Sequence, residues 1–418
     1  MTHRFILPLL LLMAGISFTS CSSDEPKAPD PEDERWIDSN FAKILEEKGY
    51  ISDAESVTPA DVANLKVIDV SGTSQNRGNI KSLRGIEYFT NLERLDCQYN
   101  QITQLDVTKN ANLEILLCWD NQLTQLDVTK NIQLKELFCE ENKLTQLDVS
   151  KNMQLTKLRC SSNQLTQLDV TKNTQLEELV CSSNQLTQLD VTKNTQLEEL
   201  VCSSNQLTQL DVTKNKKLYY LICSSNQLTQ LDVSKCTSLS IFDTRVNQLK
   251  HLDVTKNTEL TALYCLKNLL TELDVTKNTK LTSLHCDENK LTQLDVTKNE
   301  QLQTLGCSFN QLTQLDVTKN TKLTSLNCLE NKLTQLDVTK NTQLKILYCQ
   351  GNRLTHLDIS HNTKLEGLAC CSNPGENGLF RVKAWFDNSN VPESITNFYV
   401  YSSTWTYNGS TVKIDYYK

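Results

Sequence analysis

A chain of 418 residues with a formal net charge of -8, 16 cysteines, 11 glycines and 7 prolines excludes several classes at once. With 38% apolar and 6% aromatic residues it can bury a sizeable core, yet it is poorer in large hydrophobes than an ordinary enzyme of this length. An acidic balance without a lysine or arginine cluster argues against a nucleic-acid partner, and the cysteine content lies below the roughly 8–10% of a disulfide scaffold.

Residues 1–20 read as a signal peptide: Arg4 gives a positive start, Phe5 to Ile16 is an apolar run interrupted by Pro8, and Phe18-Thr19-Ser20 leads into Cys21. The run is too short to span a bilayer. Small residues before a cysteine resemble the bacterial lipobox, which implies cleavage before Cys21 and lipidation there, although Phe18 and Thr19 depart from its commoner residues. The alternative is an ordinary secretory signal with an incidental cysteine. Residues 21–35 follow as a tether, with Pro26, Pro29 and Pro31 spaced among acids. An acidic tract behind a lipidated cysteine is similar to the surface-export signal of outer-membrane lipoproteins. The expected location is the outer membrane or cell surface, the membrane being met through the lipid alone; a periplasm-facing stalk is the alternative.

Residues 36–91 read as an amino-terminal cap. Phe41, Ile44 and Leu45 share a helical face, and Thr58-Pro59-Ala60-Asp61 opens a second helix with a Thr N-cap and Pro at its first position. From Leu65 to Asn91 runs a degenerate repeat with Ile68, Val70, Ile80, Leu83, Ile86 and Phe89 as its apolar positions.

Residues 92–373 repeat every 21 residues without insertion, for the Leu-Asp pair recurs from Leu105, Leu126 and Leu147 through to Leu357. The unit, Leu-x-x-Leu-x-Cys-x-x-Asn-x-Leu/Ile-Thr-x-Leu-Asp-Val-Thr/Ser-Lys-Asn-x-x, is a short leucine-rich repeat. Leu95 and Cys97 alternate with Arg94, Asp96 and Gln98, so a short strand points one set inward and the other outward. Asn100 and its equivalents, one in each of fourteen rungs to Asn373, turn the chain in place of glycine and proline. One rung cannot stabilise itself, and stacking must complete it. The expected fold is an α/β repeat solenoid with fourteen parallel strands lining one face, a helical cap before it and a small β cap in residues 374–418. Phe380, Val382, Trp385, Phe398, Val400, Trp405, Val412 and Ile414 suggest that β cap, whose aromatic density alternatively marks a second binding site.

Thirteen cysteines occupy one repeat position, from Cys97 and Cys118 to Cys370, with Thr244 filling the missing rung. This column, the period and the Leu-Asp-Val-Thr-Lys-Asn segment resemble the cysteine-ladder branch of the internalin family. The resemblance implies a surface protein that adheres to a ligand on a host or neighbouring cell through its concave face. The amino-terminal lipobox departs from that family's anchoring. Side chains in register on parallel strands run side by side, and an uninterrupted group of seven cannot pair completely, so the ladder reads as buried thiols rather than disulfides. No zinc cluster is expected, and the column beginning Asp106 and Asp127 reads as carboxylates capping their own turns rather than a calcium ladder.

Variation among the repeats points to function. Outward positions of the concave face carry Trp119, Phe138, Arg159, Tyr219, Tyr220, Tyr264, His285, Phe309 and Tyr348, large groups that suit a protein ligand or, alternatively, a glycan. Neutral drift on a structural spacer is the competing reading, strengthened by the identity of residues 174–194 and 195–215. The amino-terminal half of the face is acidic, with Glu114, Glu136, Glu140, Glu141, Glu177, Glu178, Glu198 and Glu199, which favours a basic or neutral partner. His285 and Cys286 point to opposite sides, no phosphate loop or nucleophile elbow is present, and neither catalysis nor a cofactor or metal is expected.

Overall fold

The computed structural model describes residues 35–396 and 402–418. The signal peptide, Cys21 and the tether to residue 34 lie outside the described residues, as do Phe398 and Val400. Each rung contributes one three-residue strand, from Arg94–Asp96 to Gly367–Ala369, paired in parallel register so that Leu95 faces Leu116 and Leu116 faces Leu137. The sheet holds fifteen strands rather than fourteen, because the degenerate repeat adds Val67–Asp69 beside Arg94–Asp96. Its apolar positions Ile68, Val70, Ile80, Leu83, Ile86 and Phe89 are all buried against the first rung.

Two asparagine columns close the turns. In the first, Asn184 Nδ2 donates to the carbonyls of Cys160, Cys181 and Ser182 at 3.0, 3.2 and 3.2 Å, while its Oδ1 accepts the Leu165 N–H at 3.0 Å. One amide thus ties its own turn to the preceding rung, as a buried polar group must. The residue before each such asparagine is left-handed, and only Gly351 among the fourteen is a glycine; the other thirteen, Tyr99 to Ser372, hold φ between 50° and 57°. That conformation costs an L-residue about 1–2 kcal/mol, and the asparagine bonds hold the chain in it. The second column, beginning at Asn110, stands on the opposite side of the coil. Asn194 Nδ2 donates to Val170 and Asn173 carbonyls at 2.9 and 2.8 Å, and its buried Oδ1 accepts no bond. Cys236 fills this second column in one rung, with its thiol 3.5 Å from the Val212 carbonyl.

The fifteen cysteines among the described residues are thiols: fourteen are buried and Cys371 is half-buried. Burial pushes the Cys223 and Cys328 thiols up to about 12, and the others of the ladder are raised in the same way. The aspartate column caps its own turns. Asp169 Oδ1 accepts the Thr171 hydroxyl and N–H at 2.7 and 2.9 Å, and those bonds hold its carboxyl below the usual range.

Both ends of the sheet are covered. Helix Ser39–Glu47 is capped by Asp38, whose Oδ1 accepts the N–H groups of Asn40 and Phe41, and it buries Phe41, Ala42 and Leu45. The second helix is a single turn, Pro59–Val62, with the Thr58 N–H and hydroxyl both donating to Asp61. At the other end a four-stranded mixed sheet combines His356–Asp358, Leu379–Lys383, Ser410–Tyr417 and Thr404–Tyr407. His356 opens the first of these strands, because Leu379–Lys383 pairs beside it. Trp405 Nε1 donates to the Asn373 carbonyl at 2.8 Å and so closes the last asparagine turn.

Candidate binding face

Because Leu95, Leu116 and their equivalents point inward, the residues on either side of them form outward columns along the sheet. Phe138, Arg159, Tyr220, Tyr264, His285 and Tyr348 lie in these columns, whereas Trp119 follows its strand, Tyr219 precedes its strand, and Phe309 occupies the left-handed turn position; Tyr219 and Phe309 are exposed and the other seven half-buried. They do not form one patch. Seven rungs separate Trp119 from Tyr264, roughly 34 Å at 4.8 Å per strand.

Near the amino-terminal end, Trp119 packs edge-on against Tyr99 with centroids 4.3 Å apart. The Arg159 guanidinium lies 4.8 Å over the Phe138 ring and pairs with Glu178. In the middle, Tyr219 donates its hydroxyl to Glu199, which pushes the phenol up to about 12, and its ring lies 6.5 Å from that of Tyr220. Toward the other end a chain of contacts crosses four rungs. Asp243, buried to 2% exposure, holds Arg245 through Nε at 2.9 Å and Nη2 at 2.6 Å. Arg245 lies 5.5 Å over Tyr264, which stacks on His285 at 5.5 Å and 23°. His285 Nδ1 is 3.7 Å from Asp287, whose other oxygen accepts the Ser308 N–H and hydroxyl at 3.0 and 2.5 Å. Burial pushes the Asp287 carboxyl up, but the bonds from His285 and Ser308 outweigh it and hold the group below its usual range. Phe309 follows in the next rung with φ 50°, and Tyr348 stands two rungs further on.

The alternation of repeats did not single out several residues of this group. Arg245 and Asp287 occupy the same column as Trp119, and Gly306 makes room for Asp287 and His285: a Cβ there would stand 2.7 Å from His285 Nδ1 and collide with Asp287. The signal was present, because Gly306 is the one glycine between Gly85 and Gly351.

Two expectations need correction. The column between Leu and Cys is not uniformly exposed, since Asp96, Leu117, Asp243, Gly306 and Ala369 are buried under their neighbours. The acids of the amino-terminal half are also less free than their number suggests. Glu114 pairs with Lys135 at 2.7 Å, Glu136 with Lys157 at 3.1 Å, and Glu178 with Arg159.

A hollow of about 630 Å³ lies elsewhere, among the turns at His251, Asp253, Glu272 and Asp274. The same trough recurs at about 500 Å³ along Thr187–Asp211 and about 480 Å³ along Thr124–Asp148, so it is a product of the repeat. Among the described residues no group of three or more His, Cys, Asp and Glu side chains converges to hold a metal, and no helix is long and apolar enough to cross a membrane.

No protein-family model and no curated protein matches the chain. Solved structures do. The functional domain of InlJ from Listeria monocytogenes, which includes a cysteine ladder, is 32% identical, with 91% of this chain and 97% of that one covered at a TM-score of 0.68. The leucine-rich repeat protein LIC12759 of Leptospira interrogans is 27% identical over 76% of this chain and 86% of its own, at 0.67. The Arabidopsis receptor kinase HAESA, solved with the peptide hormone IDA and the co-receptor SERK1, shares the fold at 19% identity, covering 82% of this chain and 70% of its own, at 0.65. Through its period, its thiol ladder and its parallel sheet alike, the chain belongs to the internalin-like leucine-rich repeat proteins of the cysteine-ladder kind.

Proposed function

We propose that this chain is a surface-displayed lipoprotein that binds a protein ligand on the sheet face of its solenoid. The carrying observation is the linked group Asp243, Arg245, Tyr264, His285 and Asp287, pre-formed on a rigid sheet. Side chains fixed by one another lose little entropy on binding, and aromatic and arginine anchors of this kind carry most of the energy of a protein interface. Kinship with InlJ and the fold shared with peptide-bound HAESA support a protein partner. Lipid attachment at Cys21 rests on the sequence, and labelling by a palmitate analogue that Cys21→Ala abolishes would establish it.

The test is adhesion of the chain to intact host and bacterial surfaces, with Tyr264→Ala, His285→Ala and Tyr348→Ala combined. Binding should fall about tenfold or more while the unfolding transition is preserved; unchanged binding would favour a structural spacer. The flat Tyr264–His285 stack beside the Asp287 carboxylate also suits a sugar ring, and a glycan array separates that reading from the protein one.

A further inference from the structure

The left-handed residues before the asparagines form a column of corners along one edge of the solenoid. Several are serine, among them Ser183, Ser204 and Ser225, and Tyr99 at the amino-terminal end is packed against Trp119. Val246 and Phe309 instead stand 45% and 52% exposed in the same strained conformation. That conformation costs about 1–2 kcal/mol, and an apolar side chain held in it against water is a local cost of the kind that marks a contact made outside the chain. Between the two, on the intervening rungs, lie Lys267 and Glu288, 3.4 Å apart with side chains 50% and 46% exposed.

Along the stack this edge therefore runs apolar, cationic, anionic, apolar. Turned end for end it is complementary to itself, because apolar meets apolar and each charge meets its opposite. The match continues outward from a centre between Lys267 and Glu288: Ser225 falls opposite Glu330, and Ser204 opposite Gly351. In the column that follows each asparagine, Gln248 falls opposite Gln311 and Leu269 opposite the methylene stem of Lys290. The register is defined. Centring the reversal on Lys267 or on Glu288 sets like charges together, and so does a parallel arrangement.

We infer that this edge is an interface between two copies of the chain, antiparallel about a two-fold axis between Lys267 and Glu288. Val246 packs on the partner's Phe309, and Lys267 faces the partner's Glu288. The strip from Ser225 to Glu330 spans about 24 Å at 4.8 Å per rung. It is small for a specific interface, so the affinity is on the order of micromolar. The pairing is separate from what the sheet face binds and stands or falls without it.

The experiment is sedimentation equilibrium of the full chain carrying Cys21→Ala, which removes any acyl group, in reductant, which prevents a bridge through the half-buried Cys371. Association should appear between roughly 1 and 100 µM. It should be lost in Phe309→Ser, a change that gives this corner the residue Ser204 already supplies at its own. Lys267→Glu and Glu288→Lys should each weaken it about tenfold or more, because each sets like charges together twice across the axis. Mixed in equal amounts, these two variants should associate as the native chain does, since every charge again meets its opposite. Lys280→Glu, which breaks the comparable pair with Glu259 away from this edge, should leave association unaltered. A chain monomeric throughout, a dimer that Phe309→Ser leaves intact, a mixture that stays dissociated, or a loss in Lys280→Glu equal to that in Lys267→Glu overturns the interface.

Discussion

Residues 153–236 and residues 237–349 share an interior and differ on the sheet face. In the first stretch the columns that follow each strand hold Ser161, Ser182, Ser203 and Ser224, whose hydroxyls join rung to rung: Ser161 Oγ accepts the Ser182 N–H at 2.9 Å, and Ser224 Oγ lies 3.0 Å from Ser203 Oγ. In the second the same column holds Arg245, Leu266, Asp287, Ser308 and Leu329. Beneath both run leucines, thiols and asparagines, all buried, with Cys236 in place of an asparagine in the first stretch and Phe242 and Thr244 in place of a leucine and a thiol in the second. Stacking dictates what points inward and leaves the outward columns free, so the column after each strand can repeat one residue in the first stretch and vary from rung to rung in the second.

Alkali should act most strongly on the interior that the two stretches share. The folded thiols sit well above the value near 8.5 of an unfolded cysteine, so their contribution to stability is fully present below about pH 8 and is lost as pH rises toward the folded values. Fourteen buried thiols at about 1.4 kcal/mol each per pH unit remove roughly 20 kcal/mol per unit once all titrate in the unfolded chain. Because the ladder runs through both stretches, circular dichroism should show one steep loss of structure by about pH 10; two separate transitions would mean that the interiors are not equivalent.

Asparagine replacement comes next. Asn184→Ala leaves the Leu165 N–H and three carbonyls without their partner and should destabilise by about 4 kcal/mol in denaturant titration. Asn310→Ala removes the matching set, the Leu291 N–H and the carbonyls of Cys286, Cys307 and Ser308, and should match it within about 1 kcal/mol. A large disagreement would tie interior stability to the face above it.

Glycine replacement sharpens the contrast on the outside. Val246, β-branched and left-handed at φ 53°, is the most strained occupant of its column. Val246→Gly should raise stability by about 1 kcal/mol, and Ser204→Gly by less. Smallest of all should be the effect of deleting residues 174–194, because the next 21 residues are identical and every junction is re-formed. The thermal midpoint should move by less than about 4 °C, and a larger shift would show that the uniform stretch is more than a spacer.

The architecture was readable because a strict period of 21 locates every rung, and inward positions repeat their residue types. The same arithmetic assigns Cys236, 21 residues after Asn215, to the second asparagine column. What the period does not reveal is how neighbouring outward side chains fold onto each other. The pairing of Arg159 with Glu178, the burial of Asp96 and Asp243, and the lean of Asp287 over Gly306 depend on contacts between rungs that differ in sequence. The left-handed residue before each asparagine was hidden for another reason: serine, glutamate, valine and phenylalanine in turn carry no local signal for that conformation.

The direction of the inter-strand bonds has a mechanical consequence. They run along the stack from the amino-terminal cap to the carboxy-terminal cap, so tension applied at the two ends loads them in line with their own axis. Rungs then peel away in succession, beginning at an end, instead of shearing together. Each detached rung of 21 residues lengthens the chain by roughly 70 Å, from a rise of about 4.8 Å to near full extension. Pulled between two anchored bodies, the molecule would yield in equal steps, absorbing load and restacking on a template of intact rungs when the pull is released.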